Sequence, residues 1–136
     1  MTPRRPVELV RAPGLSDDAP YAYAAVSHDV SRLVFTAGAC PLDPDGNTVA
    51  PGDVSAQTQQ VMANLTEALA AAGAQLTDVV RTTVYVATQR REDLVTAWEV
   101  VRHWFGDHDA PSTLLGVSVL GYPGQLVEVE AVAALG

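Results

Sequence analysis

Lysine is absent from this chain. All eight basic side chains are arginines, set against sixteen acidic ones, for a formal charge of −8. Without lysine there is no Schiff-base chemistry and no lysine-dependent phosphate loop. Cys40 is the single cysteine, which excludes an intrachain disulfide and a zinc site built from cysteines. The three histidines show no metal-ligand pairing: His103 and His108 are five residues apart, not the i, i+4 spacing of a helical metal pair. No apolar run approaches the roughly 18 residues that span a bilayer. Met1 to Gly14 holds arginines and prolines but no apolar core of a secretory leader. We therefore expect no membrane contact and a cytoplasmic location. The acidic field repels phosphate backbones. The tight basic pairs, Arg4-Arg5 and Arg90-Arg91, have no aromatics between them, so we expect no nucleic-acid partner.

What is present is a globular composition. The 136 residues are 48% hydrophobic and 18% charged, which fits a single domain over residues 1–136 and disfavours disorder. There is no internal repeat and no flexible linker. A short alternating run at Val7, Leu9 and Val10 precedes a loop from Ala12 to Pro20. Tyr21 to Val26 and Arg32 to Ala37 read as two strands of a β-hairpin around Ser27-His28-Asp29. Asp43-Pro44-Asp45-Gly46-Asn47 is a tight turn. It fails as a calcium loop, because its glycine comes early and Val54 stands where a bidentate glutamate is needed.

Asp53 is a suitable N-cap for a helix running to Ala72 and stopped by Gly73. Val61, Leu65, Ala68, Leu69 and Ala72 form its predicted buried stripe. Thr77 to Val86 reads as a strand with Val80, Thr82, Val84 and Val86 on one face. A second helix spans Arg91 to Phe105, with Leu94, Trp98, Val101 and Phe105 as its stripe. Leu114 to Leu120 and Leu126 to Ala134 read as a second hairpin across Gly121-Tyr122-Pro123-Gly124. In the last strand Val127, Val129, Ala131 and Ala133 face one way, while Leu126, Glu128, Glu130 and Val132 face the other. The result is an α+β fold with two helices on one face of a mixed sheet. The opposite face keeps apolar residues that call for an oligomer.

Several of these segments resemble the Rid family (YjgF/YER057c/UK114). Pro20-Tyr21 is similar to its opening strand, and Leu33-Val34-Phe35-Thr36-Ala37-Gly38 to its next strand. Gln57, Gln60, Asn64 and Leu65, followed by Ala72-Gly73, match its helix spacing. Val79 to Val86 and Val127 to Ala133 resemble its "vvKttvfv" and "vEiEaiA" strands. The resemblance implies a chorismate-mutase-like fold and a homotrimer with small-molecule clefts between subunits. It implies neither a metal nor an organic cofactor. In active members an arginine of a P-A-R-[ST] motif pairs with the substrate carboxylate, and a closing-strand glutamate holds the water that attacks an imine carbon.

The chain departs from that pattern at the arginine. Ala110-Pro111-Ser112-Thr113-Leu114-Leu115-Gly116 puts Thr113 there counting from Pro111, or Ser112 counting from Gly116, and no arginine follows Arg102. A hydroxyl brings no charge to replace a bidentate fork. Hydrolysis of amino-acid-derived imines should then be weak or absent. By resemblance, Glu130 is the catalytic candidate, able to hold or deprotonate a water. Tyr21, Gly38, Cys40, Ser112 and Thr113 are the candidate substrate-binding residues. Glu128, two residues away on the same face, reads as solvated, and Trp98 as core packing. The expected function is hydrolysis of a small imine, enamine or related intermediate. The alternatives are a trimer that binds a metabolite without chemistry, or a ribonuclease, which the charge argues against.

Overall fold

The structure, a computed structural model, describes residues 6–136. The Arg4-Arg5 pair lies outside the described residues. Six strands and two helices follow in the order β1 (Val7–Val10), β2 (Ala24–Ser27), β3 (Arg32–Phe35), α1 (Val54–Ala71), β4 (Val79–Ala87), α2 (Arg91–Phe105), β5 (Ser112–Val117) and β6 (Val127–Leu135). The main sheet has the order β3-β6-β4-β5, and β1 with β2 forms a separate antiparallel ribbon. Only β4 and β5 are parallel. Parallel neighbours need a long crossover, which α2 supplies. The expected α+β architecture with two helices on one sheet face is the one observed.

Neither expected hairpin forms. β2 pairs with β1, from Val7↔Ser27 to Val10↔Ala24, while β3 pairs with β6 on the main sheet. The alternating run at Val7 and Leu9 is thus the real partner of β2. Nor do β5 and β6 pair: β4 lies between them, bonded to both. β6 lies inside the sheet, and its inward residues Val127, Val129, Ala131 and Ala133 are all essentially buried in the core it shares with α1.

The helices begin and end as their sequence directs. The Asp53 carboxylate accepts from the Ala56 N–H at 2.9 Å, and Gly73 takes a φ of +85° just past the end of α1. The α1 stripe is shifted from expectation. Val61, Met62, Leu65 and Leu69 are fully buried, whereas Ala68 and Ala72 are exposed. In β4 a bulge between Val79 and Arg81 changes the alternation, so Val79 enters the core in place of Val80. Beyond the bulge, Thr82, Val84 and Val86 are buried as expected. The turn at 43–47 closes on Asp43, whose Oδ1 accepts from the N–H groups of Asp45 and Asn47. No cluster of potential metal ligands occurs among the described residues, and no helix there is long and apolar enough to cross a membrane.

The helix amides hold the long loops. Gln57, fully buried, donates to Gly124 O at 2.9 Å and accepts from Leu126 N–H at 2.8 Å. Asn64 donates to Cys40 O and Leu42 O, each at 2.9 Å, and itself accepts from Gln60. These residues fix the segments that flank the uncovered sheet face. On that face Leu33, Phe35 and Leu115 stay exposed, Phe35 by 71%.

Candidate functional site

The uncovered face of the sheet is a grid set by strand register. Thr83 in β4 lies between Thr113 of β5 and Glu130 of β6, and Tyr85 lies between Leu115 and Glu128. Alternation sends all of these side chains to the same side. They form a cavity of about 440 Å³ lined by Arg81, Thr83, Tyr85, Thr113, Leu115 and Glu130, closed at one side by Phe35 and Thr36. The Tyr85 hydroxyl donates to Glu130 Oε1 at 2.8 Å. That bond to the carboxylate pushes the Tyr85 phenol above its ordinary value of 10.0, with some help from burial.

Glu128 occupies a different corner. Its Oε1 accepts from the Cys40 thiol at 3.2 Å and from the Gln125 amide at 3.0 Å. Its Oε2 takes no hydrogen bond among the described residues and lies against Gly38, where any Cβ would overlap the carboxyl group. Gly38 is therefore a glycine of close approach. Burial, and then the Glu128 carboxylate, push the Cys40 thiol up to about 11. Cys40 is thus a neutral donor that orients Glu128 and not a thiolate nucleophile.

The third group sits at the outer edge of β5. The Ala22 N–H bonds Asp109 O at 2.7 Å, and Arg11 pairs with the Asp109 carboxylate. These ties bring Tyr21 edge-on to Trp98, with ring centroids 6.2 Å apart and planes at 84°. Tyr21, Trp98, Ser112, Thr113, Leu114 and Pro20 line a cavity of about 480 Å³. Ser112 is turned inward, its Oγ 2.5 Å from the buried Thr82 hydroxyl and 3.1 Å from Ala110 O. Thr113, one residue on, is the exposed member of the pair and also lines the cavity of Glu130.

The six residues expected to act together thus fall into three groups within one chain. Glu130 and Thr113 share the open sheet cavity. Gly38 and Cys40 surround Glu128. Tyr21 and Ser112 lie at the β5 edge, with Thr113 bridging to it. Sequence reasoning passed over Gln125 and treated Glu128 and Trp98 as bystanders. Alternation placed Glu128 on the right face, but its contacts come from loops distant in sequence. Arg81 lines the cavity of Glu130 and a smaller one with Tyr21, Tyr23, Ser112 and Thr113.

The comparisons agree with this fold. The family model described as endoribonuclease L-PSP matches residues 15–135. A RutC family protein of Pyrococcus abyssi is 35% identical over 84% of this chain and 85% of its own. The human 2-iminobutanoate/2-iminopropanoate deaminase is 32% identical over 98% of this chain and 91% of its own. A solved structure of a conserved Rid family protein from Yersinia pestis superposes with a TM-score of 0.86 at 31% identity, covering 96% of this chain and 99% of that one. A family model over residues 15–135 and relatives above 30% identity over most of their length show that the chain belongs to the Rid family.

Proposed function

We propose that this Rid-family chain is a deaminase-type hydrolase of a small, uncharged or bulky imine or enamine, working in clefts between the subunits of a homotrimer. The exposed Leu33, Phe35 and Leu115 support the trimer, since a neighbouring chain would bury them. An intersubunit cleft also accounts for the separation of the site residues. The Gly38–Glu128 corner of one subunit would face the Tyr21–Thr113 edge of the next.

The observation that carries the reading is the anchoring of Glu128. Both of its donors hold Oε1, which leaves Oε2 to accept a water beside the bare Cα of Gly38. Glu130, fixed by Tyr85, is the second carboxylate able to do this. In the reaction the water oxygen bonds to the imine carbon while the C=N π pair moves to nitrogen and the carboxylate takes the water's proton. That proton is returned to nitrogen, giving a carbinolamine; as its C–N bond breaks, the hydroxyl proton passes through the carboxylate to the departing nitrogen, giving a carbonyl product and ammonia. No step draws on a metal or an organic cofactor.

Thr113 supplies a hydroxyl where a charged fork would hold a carboxylate, so 2-imino acids are poor substrates. The test is to generate 2-iminobutanoate and 2-iminopropanoate with an amino-acid oxidase and follow their loss. The expected acceleration is small, and an uncharged imine is hydrolysed faster. Rapid loss of the 2-imino acids would contradict the reading and point to Arg81, beside Thr113, as the clamp. The missing charge also favours a second reading, a trimer that binds a metabolite without turning it over. It predicts ligand binding with no hydrolysis of any imine. A ribonuclease role conflicts with the charge of −8.

A further inference from the structure

We propose that the cavity walled by Tyr21 and Trp98 is the selectivity pocket of this site and takes a ring or branched apolar group of an uncharged substrate. The inference rests on the reading of Thr113 above and names the class of substrate. The cavity measures about 480 Å³, within the range of small-molecule sites, and no charged side chain is among its lining residues. Its walls are two aromatic rings and Leu114, and its polar groups include the hydroxyls of Tyr21, Ser112 and Thr113. Ser112 is already engaged with Thr82, which leaves Thr113 and Tyr21 to meet the substrate. Thr113 belongs to this cavity and to that of Glu130. In the intersubunit cleft proposed above, a substrate held at Thr113 would turn its polar end to Glu128 of the partner subunit and its apolar end between the rings.

Trp98 carries the second observation. Among the described residues its Nε1 is the one buried side-chain nitrogen or oxygen without a hydrogen-bond partner. A residue kept only to fill space would be phenylalanine or leucine, neither of which leaves a buried donor unpaired. The indole packs partly on the core and partly on the cavity, edge-on to Tyr21. That edge-to-face arrangement leaves ring surface to be met by a third apolar group.

The test uses the assembled protein and measures binding, so it does not depend on turnover. Phenylacetamide, acetamide and phenylacetate are titrated calorimetrically into wild type, Trp98→Phe, Trp98→Asn and Tyr21→Leu. Phenylacetamide is expected to bind wild type at least ~10-fold more tightly than acetamide. Phenylacetate is expected to bind no better than phenylacetamide, since the cavity offers no cation. Trp98→Phe weakens the preference, and Trp98→Asn and Tyr21→Leu each lose it. Should Trp98→Asn not fold, Tyr21→Leu decides alone. Equal binding of the two amides by wild type, or a preference unchanged in Tyr21→Leu, overturns the proposal. A Trp98-dependent preference without hydrolysis of any imine would uphold the pocket while removing the hydrolase reading.

Discussion

Gly38 and Glu128 occupy adjoining space: the glycine's missing side chain leaves the room that the Glu128 carboxylate fills. Gly38 follows β3, and Glu128 comes from the start of β6, so a backbone position and a carboxylate far apart in sequence define one corner of the site.

Gly38→Ala tests that contact. The added methyl overlaps Glu128 in its present position, so the carboxylate must swing away from Cys40 and Gln125. We expect a loss of about 1–3 kcal/mol in stability, typical of overpacking. Urea unfolding measures it. An unchanged midpoint would mean that Glu128 moves freely and is not anchored.

Cys40 should be a slow thiol. A value near 11 in place of the ordinary 9.0 lowers the thiolate fraction at pH 8 roughly 100-fold, and iodoacetamide should alkylate it correspondingly slowly. The folded state favours the neutral thiol. Its contribution to stability is therefore complete below the unfolded value and is lost as pH rises through about 11. Alkylation at the rate of a free cysteine would contradict the bond to Glu128.

Gln57→Leu removes a buried amide that ties α1 to the chain entering β6. It leaves Gly124 O and Leu126 N–H without their partner. We expect a cost of about 2–4 kcal/mol, from unsatisfied backbone groups more than from the lost bonds themselves. Thermal unfolding of the variant checks it. A change below about 0.5 kcal/mol would show that the loop finds other partners.

Tyr85→Phe releases Glu130 from its only hydrogen-bond donor among the described residues. The bond is partly exposed, so the stability cost is about 1 kcal/mol or less. If Glu128 is the water-holding group, imine turnover falls less than tenfold. A fall as large as that of Glu128→Gln would move the task to the Tyr85–Glu130 pair.

The sequence made some of this legible for physical reasons. Strict alternation from Val127 to Ala133 revealed both faces of β6, and Asp53 and Gly73 bounded α1. Adjacent strands were read as hairpins because local pairing is the simplest assumption. Here β2 instead meets β1, and β4 intervenes between β5 and β6. The bulge that exchanges Val79 for Val80 leaves no mark in the hydrophobic pattern, as both are valines. The missing arginine was visible at Ser112-Thr113, but which residue faces outward required the register Thr83↔Thr113. The Gly38, Cys40 and Gln125 shell of Glu128 joins three separated segments, so no spacing rule could have found it.

The most direct measurement of the central claim is imine hydrolysis by wild type, Glu128→Gln and Glu130→Gln, with the assembly state of each confirmed by mass. An uncharged imine bearing a phenyl group is the substrate, and ammonia release is the readout. The account predicts acceleration by wild type, a loss of at least ~100-fold in Glu128→Gln, and less than tenfold in Glu130→Gln. Equal activity of wild type and Glu128→Gln, or ammonia release no faster than without protein, would contradict it.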